Sequence, residues 1–427
     1  MKQQLIHHSS QKQVCPNCNE FVEPCVLTVT KKQIATLIGG KNMSNNNIKL
    51  SVVIPARNEW PNIVHTIYSI IHALEADGFT YKDFEIIIVD NGSDDDAYPR
   101  RGVRGTLSYL LPRGIYWSRI LRVIKDPIFG NHTARNKGAE IARGKYLFFS
   151  DAHMAYRPGF FKHMIETIDE SGGLFHGCIN WLGAYPPHHS GTGYQYTLKL
   201  GEEIKGTWNN RCVDLDNWFS ITAQGHCSVG VLKSQFFEFG GYPGMIDPMS
   251  HLSSYGGGEF YLDMKWWMFG SCVVTNPKCI GYHLASERGY SYHHDDYKRN
   301  ILSIGWALGM DEWVERALIN MLRKGRKEVV DKLMREAKER MVNDRIFIEG
   351  KRKKTFNEVI VEQPWNKMNM ERLGKQNSAI QILHDTWLPL MREAPKYVQD
   401  VYDNSPLQKS LEEFINNNLS KYVYKRI

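Results

Sequence analysis

An α/β fold built around a mostly parallel sheet is what this chain predicts, on three observations. Leu50-Ser-Val-Val-Ile-Pro-Ala56, Phe84-Glu-Ile-Ile-Ile-Val-Asp90 and Tyr146-Leu-Phe-Phe-Ser-Asp151 are short apolar runs without polar alternation, the pattern of strands covered on both faces. Between the first two, Ile63, Ile67, Ile70, Ile71 and Leu74 recur at helical spacing, which makes a βαβ unit. The third run leads into a carboxylate and an imidazole two positions apart, Asp151 and His153. They stand where ligands lie in such sheets, beyond the carboxyl ends of the strands.

The 427 residues are too many for one small core and are expected to hold one large α/β domain with appended parts. A leader over 1–47 ends in a polar Gly/Asn-rich linker from Gly39. The α/β domain is expected over 48–315, and a basic helical region over 316–427. The net charge of +7 is compatible with an anionic nucleotide or nucleic acid as partner and proves neither. No stretch reaches the roughly 18 uncharged apolar residues of a membrane span, and the start lacks an apolar signal core, so a soluble cytoplasmic protein is expected. Cys178, Cys212, Cys227, Cys272 and Cys279 are scattered and read as reduced thiols. Cys15, Cys18 and Cys25 look like part of a structural Zn²⁺ site that His7 or His8 would have to complete; a disordered leader is the alternative.

Along the chain, Asn91-Gly-Ser-Asp-Asp-Asp96 is a turn cluster after the second strand, where a nucleotide would sit. No GxGxxG follows the first strand, which argues against a nicotinamide enzyme. Residues 97–129, rich in Arg, Gly and Pro, read as a long surface excursion carrying Arg100, Arg101 and Arg104. Arg135 and Asn136 stand at a helix entrance, suited to anion and base contacts or to capping. Strand alternation would aim Asp151 and His153 at one point, a mixed oxygen and nitrogen pair that suits Mn²⁺ or another borderline divalent ion; a solvated strand end is the bland alternative. Tyr185 to Gly193 reads as an acceptor-side loop, and the glycines of Tyr255-Gly-Gly-Gly-Glu259 let backbone approach a ligand, with Glu259 placed to meet it or to serve a helix N-terminus. Cys272 to His283 reads as a strand and turn ending in a histidine, and helices dense in charge follow from Asn300.

Ser51 to Glu59, Ile86 to Ser93, Ala134 to Gly138 and Phe148 to His153, in that order and spacing, resemble the family-2-type glycosyltransferases of the GT-A fold, a Rossmann-like architecture. Phe236 to Met245, the Gly-Gly-Glu259 element, Trp267 to Cys272, Gly281-Tyr-His283 and Asn300 to Trp313 are similar to the polypeptide N-acetylgalactosaminyltransferases. The resemblance covers roughly residues 48–315. It implies a metal-dependent, retaining transfer from a UDP-sugar. Asp151, His153 and His283 would bind Mn²⁺, and Arg57, Glu59, Asp90, Arg135 and Asn136 would contact the donor nucleotide. Glu259 would act on sugar or acceptor. Phe260 stands where that family carries Asn, and the tail from 316 is unfamiliar. The acceptor is expected to be a macromolecular hydroxyl. Hydroxymethylpyrimidine in DNA is favoured by the basic balance and by a base-flipping pocket expected around Trp181, Tyr185 and Trp208. Protein Ser or Thr is the alternative acceptor, and a sugar-nucleotide-binding protein without turnover the alternative class.

Overall fold

The computed structural model describes residues 48–94, 102–110, 120–126, 130–182, 194–198, 204–208, 216–252, 255–284, 291–311, 314 and 327–361, all within the unit Asn47–Ile427. Cys15, Cys18, Cys25, Arg100, Arg101 and Tyr185 lie outside the described residues, as do the side chains of Trp181 and Trp208.

The strands in chain order are β1 (Leu50–Ala56), β2 (Phe84–Asp90), β3 (Leu121–Lys125), β4 (Tyr146–Ser150), β5 (Met154–Tyr156), β6 (Leu174–Leu182), β7 (Tyr194–Leu198), β8 (Ile204–Trp208), β9 (Phe219–Ser220), β10 (Ser228–Leu232) and β11 (Val273–Leu284). The helices used below are α1 (Asn62–Ala76), α2 (Gly102–Leu110), α3 (Asn131–Ile141), α4 (Phe160–Ser171), α5 (Lys233–Glu238), α6 (Gly258–Met268), α7 (His294–Ala307), α8 (Lys327–Lys351) and α9 (Phe356–Val361). Among the described residues the main sheet runs β3-β2-β1-β4-β10-β6-β11-β5, with β9 also on β11. The first four strands are parallel, β10 is antiparallel to β4 and β6, and β6 and β11 are parallel again. β7 and β8 form a separate hairpin.

The predicted strands and βαβ unit are present, and burial on both faces explains their lack of alternation. On β4, Phe148 packs edge-on against Phe160 and Phe161 beneath α4, while its neighbour Phe149 meets Phe236 and Tyr242 on the opposite face. The excursion expected over 97–129 is corrected in part, since it contains α2 and the parallel strand β3. Leu121-Arg-Val-Ile-Lys125 carries two cations and is half-exposed, as befits an edge strand, so it lacked the signature of its buried neighbours. The strand and turn expected over 272–283 is one strand with an irregularity between Asn276 and Ile280, where Pro277 interrupts the ladder. No helix among the described residues is long and apolar enough to cross a membrane.

A third apolar cluster joins α6 to the helices after it. It contains Phe260, Tyr261 and Met264 of α6, Ile301 and Ile304 of α7, Leu333 and Met341 of α8, and Phe356 of α9. The backbone N–H groups of Lys353 and Lys354 both donate to the Met268 carbonyl, at 2.7 and 3.0 Å, and so cap the end of α6.

Glu85, fully buried in β2, ties the amino-terminal edge of the parallel half together. It accepts from Ser51 Oγ at 2.8 Å, from Arg143 N, Nε and Nη2 at 2.7, 2.9 and 2.8 Å, and from Arg122 Nη1 at 3.2 Å. Burial alone would raise its pKa, but these donors outweigh burial and lower it. A carboxylate depressed in the folded state stabilises above its unfolded pKa, and that contribution is lost as pH falls through the folded value. Glu85→Gln is therefore expected to cost about 2 kcal/mol at neutral pH in chemical denaturation. The gap from wild type should close as pH falls below about 4; a gap independent of pH would contradict this account.

Candidate active site

β4 stops at Ser150, and Asp151-Ala152-His153 form the turn that reverses into β5. The expected convergence of Asp151 and His153 is found, but it comes from this turn and not from strand alternation. Asp151 is anchored by its own N–H, which donates to the Cys227 carbonyl at 3.0 Å. β11 pairs antiparallel with β5, setting His283 opposite Met154 and beside the turn. His153 Nε2 and His283 Nε2 lie 3.2 Å apart, and His283 Nε2 is 3.7 Å from Asp151 Oδ2. One ligand atom from each of the three residues falls within 4.8 Å of the others.

The residues present fit a divalent cation. Two imidazole Nε2 atoms facing each other at 3.2 Å cannot both carry a proton without repulsion, whereas both can offer lone pairs to a shared ion. His153 Nδ1 meets Glu59 Oε2 at 3.0 Å, which directs its Nε2 lone pair into the cluster. Burial opposes charging His153, but the Glu59 hydrogen bond and the Asp151 charge prevail and raise its pKa, so protons compete with a metal there. Burial would raise Asp151, yet the neighbouring His283 and the charges of Arg135 and His153 hold it well below the usual carboxylate range. An anionic oxygen and two imidazoles suit Mn²⁺ and its borderline neighbours.

Three residues expected at the nucleotide are engaged by protein partners. Arg135 is 1% exposed, and its Nη2 donates to Asp151 Oδ1 at 2.8 Å and to the His226 carbonyl at 2.7 Å, so it holds the Asp151 carboxylate. Asn136 spends its amide on backbone: Nδ2 donates to the Tyr242 and Pro243 carbonyls at 3.1 and 3.2 Å, and Oδ1 accepts from Tyr242 N at 3.1 Å. Glu59 likewise points at His153. Arg57 and Asp90 keep the expected place at the carboxyl ends of β1 and β2. Asp90 is buried and its Oδ1 accepts from Ser93 N at 3.0 Å.

Asn58, which sequence reasoning gave no role, and Asn91, which it placed in the turn cluster, shape this rim. Asn58, at φ 55°, exchanges two side-chain bonds with Asp94, and Asn91 Oδ1 accepts from Gly130 N at 2.9 Å to seat the start of α3. Glu259 stands half-buried in the first turn of α6, where the helix dipole favours its charge. Gly258 before it admits no side chain, since a Cβ would lie 2.4 Å from the His132 ring. Phe260 is turned away from the site and packs against Phe356. A second cluster, His176, His226 and Asp263, is fully buried, and nothing in the sequence pattern marked it.

Glu59→Gln keeps size and removes the charge that orients His153. It is expected to weaken Mn²⁺ binding by about 10-fold, read by paramagnetic resonance; unchanged affinity would remove Glu59 from this role.

Residues 51–181 match the model described as Glycosyl transferase family 2. Polypeptide N-acetylgalactosaminyltransferase 3 of Drosophila melanogaster is 24% identical over 283 residues, which is 62% of this chain and 39% of that protein. Glycosyltransferase AglE of Haloferax volcanii is 27% identical over 123 residues, 29% of this chain and 36% of AglE. This chain thus spans about two-fifths or less of the length of either relative. The solved structure of GalNAc-T7 with UDP, GalNAc and Mn²⁺ superposes with a TM-score of 0.50 at 17% identity, covering 70% of this chain and 58% of that one, a likeness of fold. With the motifs of its first strands matched and the same fold around them, this chain carries a family-2 glycosyltransferase domain of the GT-A type, similar to the polypeptide N-acetylgalactosaminyltransferases.

Proposed function

We propose that the protein transfers a sugar from a UDP-sugar to a hydroxyl of a macromolecule, assisted by a divalent cation, Mn²⁺ first, held by Asp151, His153 and His283. The observation that carries this reading is the convergence of those three side chains from the β4–β5 turn and β11, just beyond the strand ends that position Asp90. The structure of GalNAc-T7 with UDP, GalNAc and Mn²⁺ supports the choice of donor and ion. When bound, the ion would neutralise charge on the leaving diphosphate. Asp90 would accept from the uracil and Arg57 would meet the nucleotide. Arg135 and Glu59 would keep Asp151 and His153 in place, and Glu259 would act on the sugar or acceptor. Retention of anomeric configuration is expected from the family similarity, and the buried Phe260 offers no base beside Glu259.

For the acceptor we propose hydroxymethylpyrimidine in DNA, supported by the net charge of +7 and the Arg100, Arg101 and Arg104 segment, of which Arg104 is exposed on α2. Protein Ser or Thr is the second reading, favoured by the similarity to the Drosophila enzyme over 283 residues. Asp151→Ala or a chelator should abolish UDP-sugar hydrolysis and transfer without unfolding the domain; full activity without metal would sink the assignment. Glu259→Gln should lower turnover by about 100-fold with UDP affinity nearly unchanged in calorimetry, whereas collapse of UDP binding would move it into the nucleotide site. Labelled sugar on hydroxymethylated duplex DNA, bound in a salt-sensitive way, is the expected acceptor result. Label on peptide alone would select the second reading.

A further inference from the structure

The His176–Asp263–His226 cluster lies behind the site and has no part in the chemistry above. Asp263 sits on α6 one turn after Glu259 and is wholly buried. Its Oδ1 receives both His176 Nε2, at 2.9 Å from β6, and His226 Nε2, at 3.0 Å, while its Oδ2 accepts from Gln224 N at 2.9 Å. His226 Nδ1 meets Tyr242 Oη at 2.8 Å. The His226 carbonyl accepts from Arg135 Nη2 at 2.7 Å, and the next carbonyl, of Cys227, takes Asp151 N at 3.0 Å. One carboxylate therefore connects the helix bearing Glu259 to the backbone that seats Arg135 and Asp151.

Three His and Asp side chains in reach of one another are also a ligand set. Here the hydrogen-bonding roles close without an ion. Each Nε2–H donates to Asp263, the Tyr242 hydroxyl donates to the His226 Nδ1 left bare, and a backbone N–H fills Oδ2. Burial holds His226 neutral, pushed down to about 4, as this tautomer requires. His176 Nδ1 has no partner among the described residues. As a bare nitrogen it forgoes one acceptance, whereas binding a metal through Nε2 would make it a buried N–H donor with nothing to receive it.

We infer that Asp263, acting through His226 and Arg135, is a positioning residue that fixes the metal-site carboxylate Asp151 relative to Glu259. This rests on the Asp151–His153–His283 metal reading. The test is Mn²⁺ titration of the full chain by paramagnetic resonance, with donor hydrolysis kinetics alongside, for wild type, Asp263→Asn and Tyr242→Phe. In Asp263→Asn the amide cannot accept on both sides, so one of Gln224 N–H and the histidine pair loses its acceptor. Mn²⁺ affinity should fall 10- to 100-fold and kcat with it. Tyr242→Phe removes one hydroxyl from a site whose ring packing stays, and should weaken Mn²⁺ about 5-fold with the fold intact, which decides the matter even where Asp263→Asn does not fold. A loss of Tm in either variant with Mn²⁺ affinity within 2-fold of wild type would reduce the network to scaffolding and overturn the assignment. A second tightly held metal per chain, lost in Asp263→Asn, would also overturn it by making the cluster a metal site. Failure of the wild type to bind Mn²⁺ would remove the underlying reading, and it is seen separately in the same titration.

Discussion

The buried ion pair between Arg135 and Asp151 is the constraint on which the rest of the site depends. A guanidinium 1% exposed is tolerable only where its charge is matched, and its Nη2 meets Asp151 Oδ1 at 2.8 Å and the His226 carbonyl at 2.7 Å. The Tyr242 ring lies 5.6 Å from the guanidinium carbon, and Asn136 clamps the backbone of Tyr242. Two adjacent residues of α3 thus fix the orientation of one oxygen of Asp151 and leave the other toward His283.

The opposite wall is built from farther along the chain. α6 carries Glu259 at its open end and is otherwise enclosed, with Phe260 on Phe356, the Tyr261 hydroxyl on Asp344 of α8, and Lys353 and Lys354 N–H groups on its last carbonyl. Lys265 is buried with Nζ on the Gly240 and Gly241 carbonyls, and burial pushes its amine down to about 7. The described helices beyond 316, α8 and α9, therefore belong to the core that seats Glu259, and the Phe260 side chain serves that core.

What was legible in the sequence follows from range. The parallel strands could be read because burial on both faces leaves a local mark, whereas β3, a half-exposed edge strand carrying Arg122 and Lys125, leaves none. Asp151 and His153 could be paired because they are two residues apart, even though a turn supplies the geometry. His283 entered only through family resemblance, since its approach depends on the β5–β11 register 130 residues away from His153. Arg135, Asn136 and Glu59 were given to the nucleotide because charge at a helix entrance or strand end looks the same whether it meets a ligand or a distant side chain. Asp263 and His226 left no trace for the same reason, their partners being brought together only by closure of the sheet.

If the three converging side chains form the donor site, UDP must depend on a metal that they hold. Calorimetry of UDP binding to the full chain, with Mn²⁺ and then with excess chelator, tests this directly. Binding that is tight with Mn²⁺ and lost on chelation, in wild type and not in Asp151→Ala, is the predicted result. UDP binding of equal strength in chelator would contradict the account.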